Sequence, residues 1–137
     1  MNNQVELRFV CDTTQQTNNT KGRYGPARTT IKNTDTGERT MFGGLGEVSI
    51  NRAGLRAFCF VLLMVLKKYP NPKNVSIYIR DYHQVPIKWA TTDGKIKTKG
   101  DIEEIKDDIK IFRELKNQFR DVTFLWSEKE KIKELMK

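Results

Sequence analysis

Arg52 and Arg56 lie four residues apart, a spacing that sets two guanidinium groups on one face of a helix. Further along, Lys88, Lys95, Lys97 and Lys99 flank Trp89. Cations with an interleaved aromatic suit a phosphate backbone and a stacked base, so Arg52, Arg56, Lys88, Trp89, Lys95, Lys97 and Lys99 form the expected nucleic-acid-binding set. The charge distribution points the same way. Of a net charge of +8, residues 51–100 supply ten Lys/Arg against two Asp/Glu. Residues 1–50 hold six against five, and residues 101–137 nine against ten. The excess is therefore local, as a basic patch would be. The competing reading is a solvated lysine loop with Trp89 turned back into the core.

Other residues with chemical potential carry less. His83 is the single histidine, and no Cys or second His lies near it in sequence, so it reads as a loop residue rather than a catalytic one. Gly43-Gly44-Leu45-Gly46 lacks both the G-K-[ST] ending and the G-x-G-x-x-G spacing of phosphate-binding loops. Cys11 and Cys59 sit in apolar stretches and read as buried thiols. Without a paired C-x-x-C spacing they make no zinc site.

The elements that must position these residues follow from periodicity. Val5–Cys11 alternates and then runs apolar, as a strand entering the middle of a sheet does. Residues 12–22 are polar and read as a loop or a frayed extension of that strand. Arg23–Lys32 and Glu38–Phe42 flank Asn33-Thr34-Asp35-Thr36-Gly37, a hairpin signal. A helix is expected from Asn51 to Tyr69, capped by Ser49 or Asn51 and stopped by Pro70. It is apolar nearly all round between Ala57 and Leu66, so it should be buried on most faces. Asn74–Arg80 alternates as a strand, and Tyr82–Ala90 suits a short helix or turn, with Pro86 against a long one. After the Lys-rich loop of residues 91–100, Asp101–Phe119 places Ile102, Ile105, Ile109, Phe112, Leu115 and Phe119 on one helical stripe. Asp121–Trp126 is a last strand, and Ser127-Glu128-Lys129-Glu130 has the form of a capping box opening a short terminal helix. The order β-β-β-α-β-α-β-α implies one α/β domain over residues 1–137, a mixed sheet with helices on its faces. The ten-residue apolar run is too short to cross a bilayer, and no secretory leader is visible, so a cytoplasmic protein with no membrane contact is expected.

This order resembles the ribonuclease H fold, and three motifs sharpen the likeness. Asn51-Arg52-Ala53-Gly54-Leu55-Arg56-Ala57 is similar to the Asn-Arg-x-Glu-Leu-x-Ala opening of that family's first long helix, except that Gly54 stands where the Glu belongs. Ile77-Tyr78-Ile79-Arg80-Asp81 ends a strand in a carboxylate, as the family does, and Val10-Cys11-Asp12 ends the first strand near one. Such enzymes use two divalent ions to clamp the attacking and leaving oxygens of a phosphodiester, which requires several converging carboxylates. The resemblance implies Asp12 and Asp81 as the two surviving metal ligands, with Mg²⁺ or Mn²⁺ held weakly. It also implies that the carboxylate of the last helix is replaced at Lys133. Glu47, Asp101, Asp107, Glu130 and Glu134 are the candidates to substitute, and an active enzyme would rest on Asp12, Glu47 and Asp81. Restoring a Glu at position 54 should cost little stability, since Glu is a better helix former than Gly. In the related fold the substrate's minor groove lies over the basic helix and loop. The leading expectation is a non-catalytic or weakly catalytic module, a pseudoenzyme, that binds RNA, an RNA/DNA hybrid or structured single strands. The alternatives are a metal-dependent ribonuclease with substituted ligands, and a protein-interaction adaptor or inhibitor on the same scaffold.

Overall fold

The computed structural model describes residues 4–16, 25–91 and 102–137. Its elements are β1 (Val5–Gln15), β2 (Ala27–Asn33), β3 (Arg39–Phe42), α1 (Ile50–Lys68), β4 (Val75–Asp81), α2 (Gln84–Thr91), α3 (Ile102–Lys116), β5 (Asp121–Trp126) and α4 (Lys129–Met136), with one 3₁₀ turn at Pro72–Asn74. The five strands form one mixed sheet in the order β3-β2-β1-β4-β5. β1 pairs antiparallel with β2, and β2 antiparallel with β3. β4 runs parallel to both β1 and β5. The parallel pairs need crossovers, which α1 and the α2–α3 stretch supply.

Side-chain alternation sorts the sheet into two faces. Leu7, Phe9 and Cys11 of β1, Ile31 of β2 and Val75, Ile77 and Ile79 of β4 turn to one face, where they are buried with Leu55, Phe58, Val61 and Leu62 of α1. Each of these fully buried aliphatic and aromatic side chains contributes about 1.5–3 kcal/mol. Of the expected stripe on α3, Ile105, Ile109, Phe112 and Leu115 are buried, Phe119 follows in the turn beyond the helix, and the Ile102 side chain lies outside the described residues. Phe124 of β5 joins them, 4.8 Å from Phe58 and 5.7 Å from Phe112 between ring centroids. On the second face, Leu135 of α4 meets Val10, Arg8, Tyr78 and Arg80 across a groove of about 250 Å³.

Local chemistry explains the ends. The β2–β3 turn closes with Gly37 N–H donating to Asn33 O at 2.8 Å, while Asn33 Oδ1 accepts from Asp35 N–H. Gly37 has φ +79°, a conformation that suits glycine. Of the two expected caps of α1, Ser49 is the one used, its hydroxyl accepting from Arg52 N–H at 3.3 Å. The capping box at α4 does not form. Glu128 is the N-cap, without a side-chain cap, and the Ser127 hydroxyl instead accepts from Arg80. β1 runs on to Gln15, because its last residues pair with β2 as far as Ala27. Among the described residues no helix is long and apolar enough to cross a membrane.

Candidate functional site at the carboxylate edge

Asp81 closes the parallel strand β4 and lies on the pleat that carries Val75, Ile77 and Ile79. Its side chain is completely buried. Oδ1 accepts from the backbone N–H groups of Tyr82 (2.6 Å) and His83 (3.1 Å). Oδ2 is buried with no hydrogen-bond partner among the described residues. A buried carboxylate oxygen left so costs free energy whenever the group is ionised. Burial accordingly pushes the Asp81 pKa up to about 7, against the pull of the two backbone amides, with the Asp12 charge adding to the rise.

Asp12 stands on the neighbouring strand β1. The parallel register sets Val10 beside Arg80, so Asp12, inside β1 opposite Thr30 of β2 rather than at its end, lies beside the end of β4 and on the alternate pleat from Asp81. Asp12 is half-buried, and its charge is felt by Asp81, Cys11, Tyr82 and His83. Around it the Tyr82 hydroxyl donates to Thr13 O at 3.1 Å, and His83 Nε2 lies 3.0 Å from the same oxygen. A carbonyl can only accept, so Nε2 carries the proton and Nδ1 of the neutral ring is the free acceptor. Burial lowers the His83 pKa, opposed by the Thr13 carbonyl and by Asp12, with Lys129 lowering it further. Burial also raises the Tyr82 phenol. In sequence His83 reads as a bystander. The structure sets it within this cluster, its ring 4.1 Å from that of Tyr82.

The remaining expected ligands do not converge. Among the described residues no three His, Cys, Asp or Glu side chains come together in a way that could hold a metal ion. Glu47, Asp107, Glu130 and Glu134 form no metal-holding group with Asp12 and Asp81, and Asp101 lies outside the described residues. Gly54 is buried in α1, and a Cβ there would sit 2.8 Å from Pro86 Cγ and 3.3 Å from Pro86 Cβ. Pro86 is itself buried, in the first turn of α2, where its missing N–H costs nothing. The expectation that a Glu at position 54 costs little is thereby corrected. Helix propensity favours the change, but the pyrrolidine ring occupies the space.

The basic set divides into three. Arg52 and Arg56 both reach Asp108 Oδ2 of α3, at 3.3 and 3.4 Å, and Arg56 also donates to Leu45 O at 2.9 Å. The Arg52 side chain is 10% exposed and that of Arg56 32%. Both are engaged in joining α1 to α3, and Arg56 also joins α1 to the loop before it. Trp89 is buried in the core with Ala90, which overturns the expectation that it stacks on a base. The apolar spacing of α2 against α1 decides its place. Lys88 is exposed as expected. Lys95, Lys97 and Lys99 lie outside the described residues. The exposed indole is Trp126, 47% accessible at the end of β5, where the register pairs it with Asp81.

No family model matches the chain, and no curated protein sequence matches it. Solved structures do. RNase H1 from the halophilic archaeon Halobacterium salinarum superposes with a TM-score of 0.70 at 16% identity, over 93% of this chain and 89% of that one. LC11-RNase H1, isolated from compost by a metagenomic approach and solved with an RNA/DNA hybrid, gives 0.70 at 15% identity, over 91% and 87%. The N-terminal RNase H domain of a Mycobacterium tuberculosis protein gives 0.62 at 12% identity, over 92% and 91%. With a central β1, an antiparallel β1–β3 meander, parallel β4 and β5, and α1 buried against the sheet, this chain has the ribonuclease H-like fold.

Proposed function

We propose that this chain is a nucleic-acid-binding module of ribonuclease H-like fold that engages an RNA/DNA hybrid or structured RNA without the two-metal cleavage chemistry. The contact of Gly54 with Pro86 carries this reading. A two-ion clamp needs carboxylates from several elements, and the α1 position that would supply one is closed by a proline ring. Asp12 and Asp81 stand on alternate pleats, and among the described residues no third carboxylate joins them, which leaves at most a loose site for one hard cation. Mg²⁺ or Mn²⁺ held there would neutralise a charge that the protein otherwise buries at a cost. With so few ligands it would be held loosely, and no catalytic step is assigned to it.

Support for nucleic acid as the partner comes from the local charge excess of residues 51–100 and from the LC11-RNase H1 neighbour, which was solved with a hybrid. Recognition would follow backbone charge and shape rather than sequence. The test is a salt titration with a labelled hybrid. Changing Lys95, Lys97 and Lys99 together to Gln should weaken binding and flatten the log–log salt slope by about 0.9 for each phosphate that is no longer neutralised. Unchanged binding by that variant, or no binding by either protein at low salt, favours a protein-interaction role instead.

A further inference from the structure

Two features at the carboxylate edge are not accounted for by folding. Trp126 ends β5 almost half exposed, yet its ring is not loose: Nε1–H donates to Tyr82 O at 2.9 Å, which fixes the plane of the indole beside the strand end that carries Asp81. Lys129 opens α4. Its ammonium lies 5.7 Å from the centroid of the Tyr82 ring and has no carboxylate partner among the described residues. A cation in the first turn of a helix opposes the macrodipole, so α4 gains nothing from it. Tyr82 thus joins the two, meeting the indole through its backbone carbonyl and the ammonium through its ring face.

A fixed, exposed indole and an ammonium without a carboxylate, both in contact with the same tyrosine, are complementary to a nucleotide, whose base has a π-face and whose phosphate is an anion. We infer that Trp126 and Lys129 form a nucleotide subsite next to Asp81, the indole stacking an unpaired base and the ammonium holding its phosphate. The inference rests on the nucleic-acid reading above and adds where an unpaired nucleotide is held. The subsite lies outside the basic helix and lysine loop, and it favours a single strand or a frayed end, because a base inside a duplex offers no free face. RNA and DNA strands share this chemistry.

Short oligouridylate and oligothymidylate serve as probes, with the full chain and no metal. Binding should quench the emission of the exposed Trp126, and Trp126→Phe should abolish that quenching while the buried Trp89 still reports on the fold. Trp126→Leu should weaken single-strand binding by about tenfold, the usual scale for losing one stacked base. Lys129→Gln should reduce the salt slope by about 0.7, one phosphate on a single strand, without lowering the melting temperature. Equal binding of oligouridylate and oligothymidylate places the contact on base and phosphate, and a preference for oligouridylate adds the 2′-hydroxyl to it. If the unmodified protein binds strands but Trp126→Leu and Lys129→Gln bind as well as it does, the subsite is wrong and the nucleic-acid reading survives. If the unmodified protein binds no strand or hybrid at low salt, both fail.

Discussion

The polar cluster between α1 and α3 and the polar cluster where β4 ends beside β1 differ in how fully their charges are answered. In the first, Asp108 lies between Arg52 and Arg56, and Arg56 also holds the Leu45 carbonyl. In the second, Asp81 is wholly buried, one of its oxygens has no partner among the described residues, and the nearest carboxylate adds repulsion. A fold that only needed stability would not leave the second cluster so. Unanswered buried charge concentrates where a ligand completes the arrangement, and this contrast is why we propose function at the end of β4 and a structural role for the arginine pair.

The largest expected effect tests the structural half. Asp108→Ala removes a carboxylate that two guanidinium groups share in a largely buried setting, and it should lower stability by about 3 kcal/mol. A shift of the urea midpoint at constant m-value measures it. If Asp108→Ala were neutral in stability but abolished binding, the two clusters would have to exchange roles.

Asp81→Asn acts in the opposite direction. The folded pKa, about 7, lies above the ordinary value of 3.8, so the folded state binds the extra proton between them. Stability therefore falls as pH rises through that window, by up to about 2–4 kcal/mol, and stays low above it. An Asn keeps an acceptor for the Tyr82 and His83 amides and carries no charge. Above about pH 7 the variant should be the more stable protein by about 1–3 kcal/mol, and its melting temperature should vary less with pH. Melting curves across that range would show a parallel pH dependence in both proteins if Asp81 were not the cause.

Gly54→Glu should destabilise by about 1 kcal/mol, since overpacking against Pro86 outweighs the gain in helix propensity. Adding Pro86→Ala should recover part of that loss. A double-mutant cycle with no coupling would remove the proline contact as the reason for glycine at this position. The smallest effect belongs to Lys88→Gln, which should leave stability unchanged and lower the salt slope on a duplex by about 0.9 if this exposed lysine meets a phosphate.

Much of this architecture was legible because its signals are local. Alternation marked Val75–Asp81, the helical period marked the stripe on α3, and a strand-terminal carboxylate marked Asp81, whereas Asp12, read as the end of the first strand, lies inside β1. What escaped depends on partners far away in sequence. Nothing near Arg52 or Arg56 announces Asp108, and nothing near Gly54 announces Pro86. Gly54 read as a lost ligand, whereas the structure adds that the space is filled. The two tryptophans show the same limit. Trp89 lies among lysines yet packs inward, while Trp126 ends a strand whose alternation would bury it and stays exposed. Burial of a large aromatic is settled by which element packs over it: Trp89 sits on α2, which packs on the core, while Trp126 at the strand end stays open.

The most direct measurement incubates the unmodified protein with a labelled RNA/DNA hybrid in Mg²⁺, in Mn²⁺ and in chelator, following binding and cleavage on the same samples. Salt-dependent binding of similar strength in all three, with the RNA strand intact, is the expected result. Metal-dependent cleavage that Asp12→Asn abolishes would contradict it, and would make the carboxylate edge an active site despite the proline against Gly54.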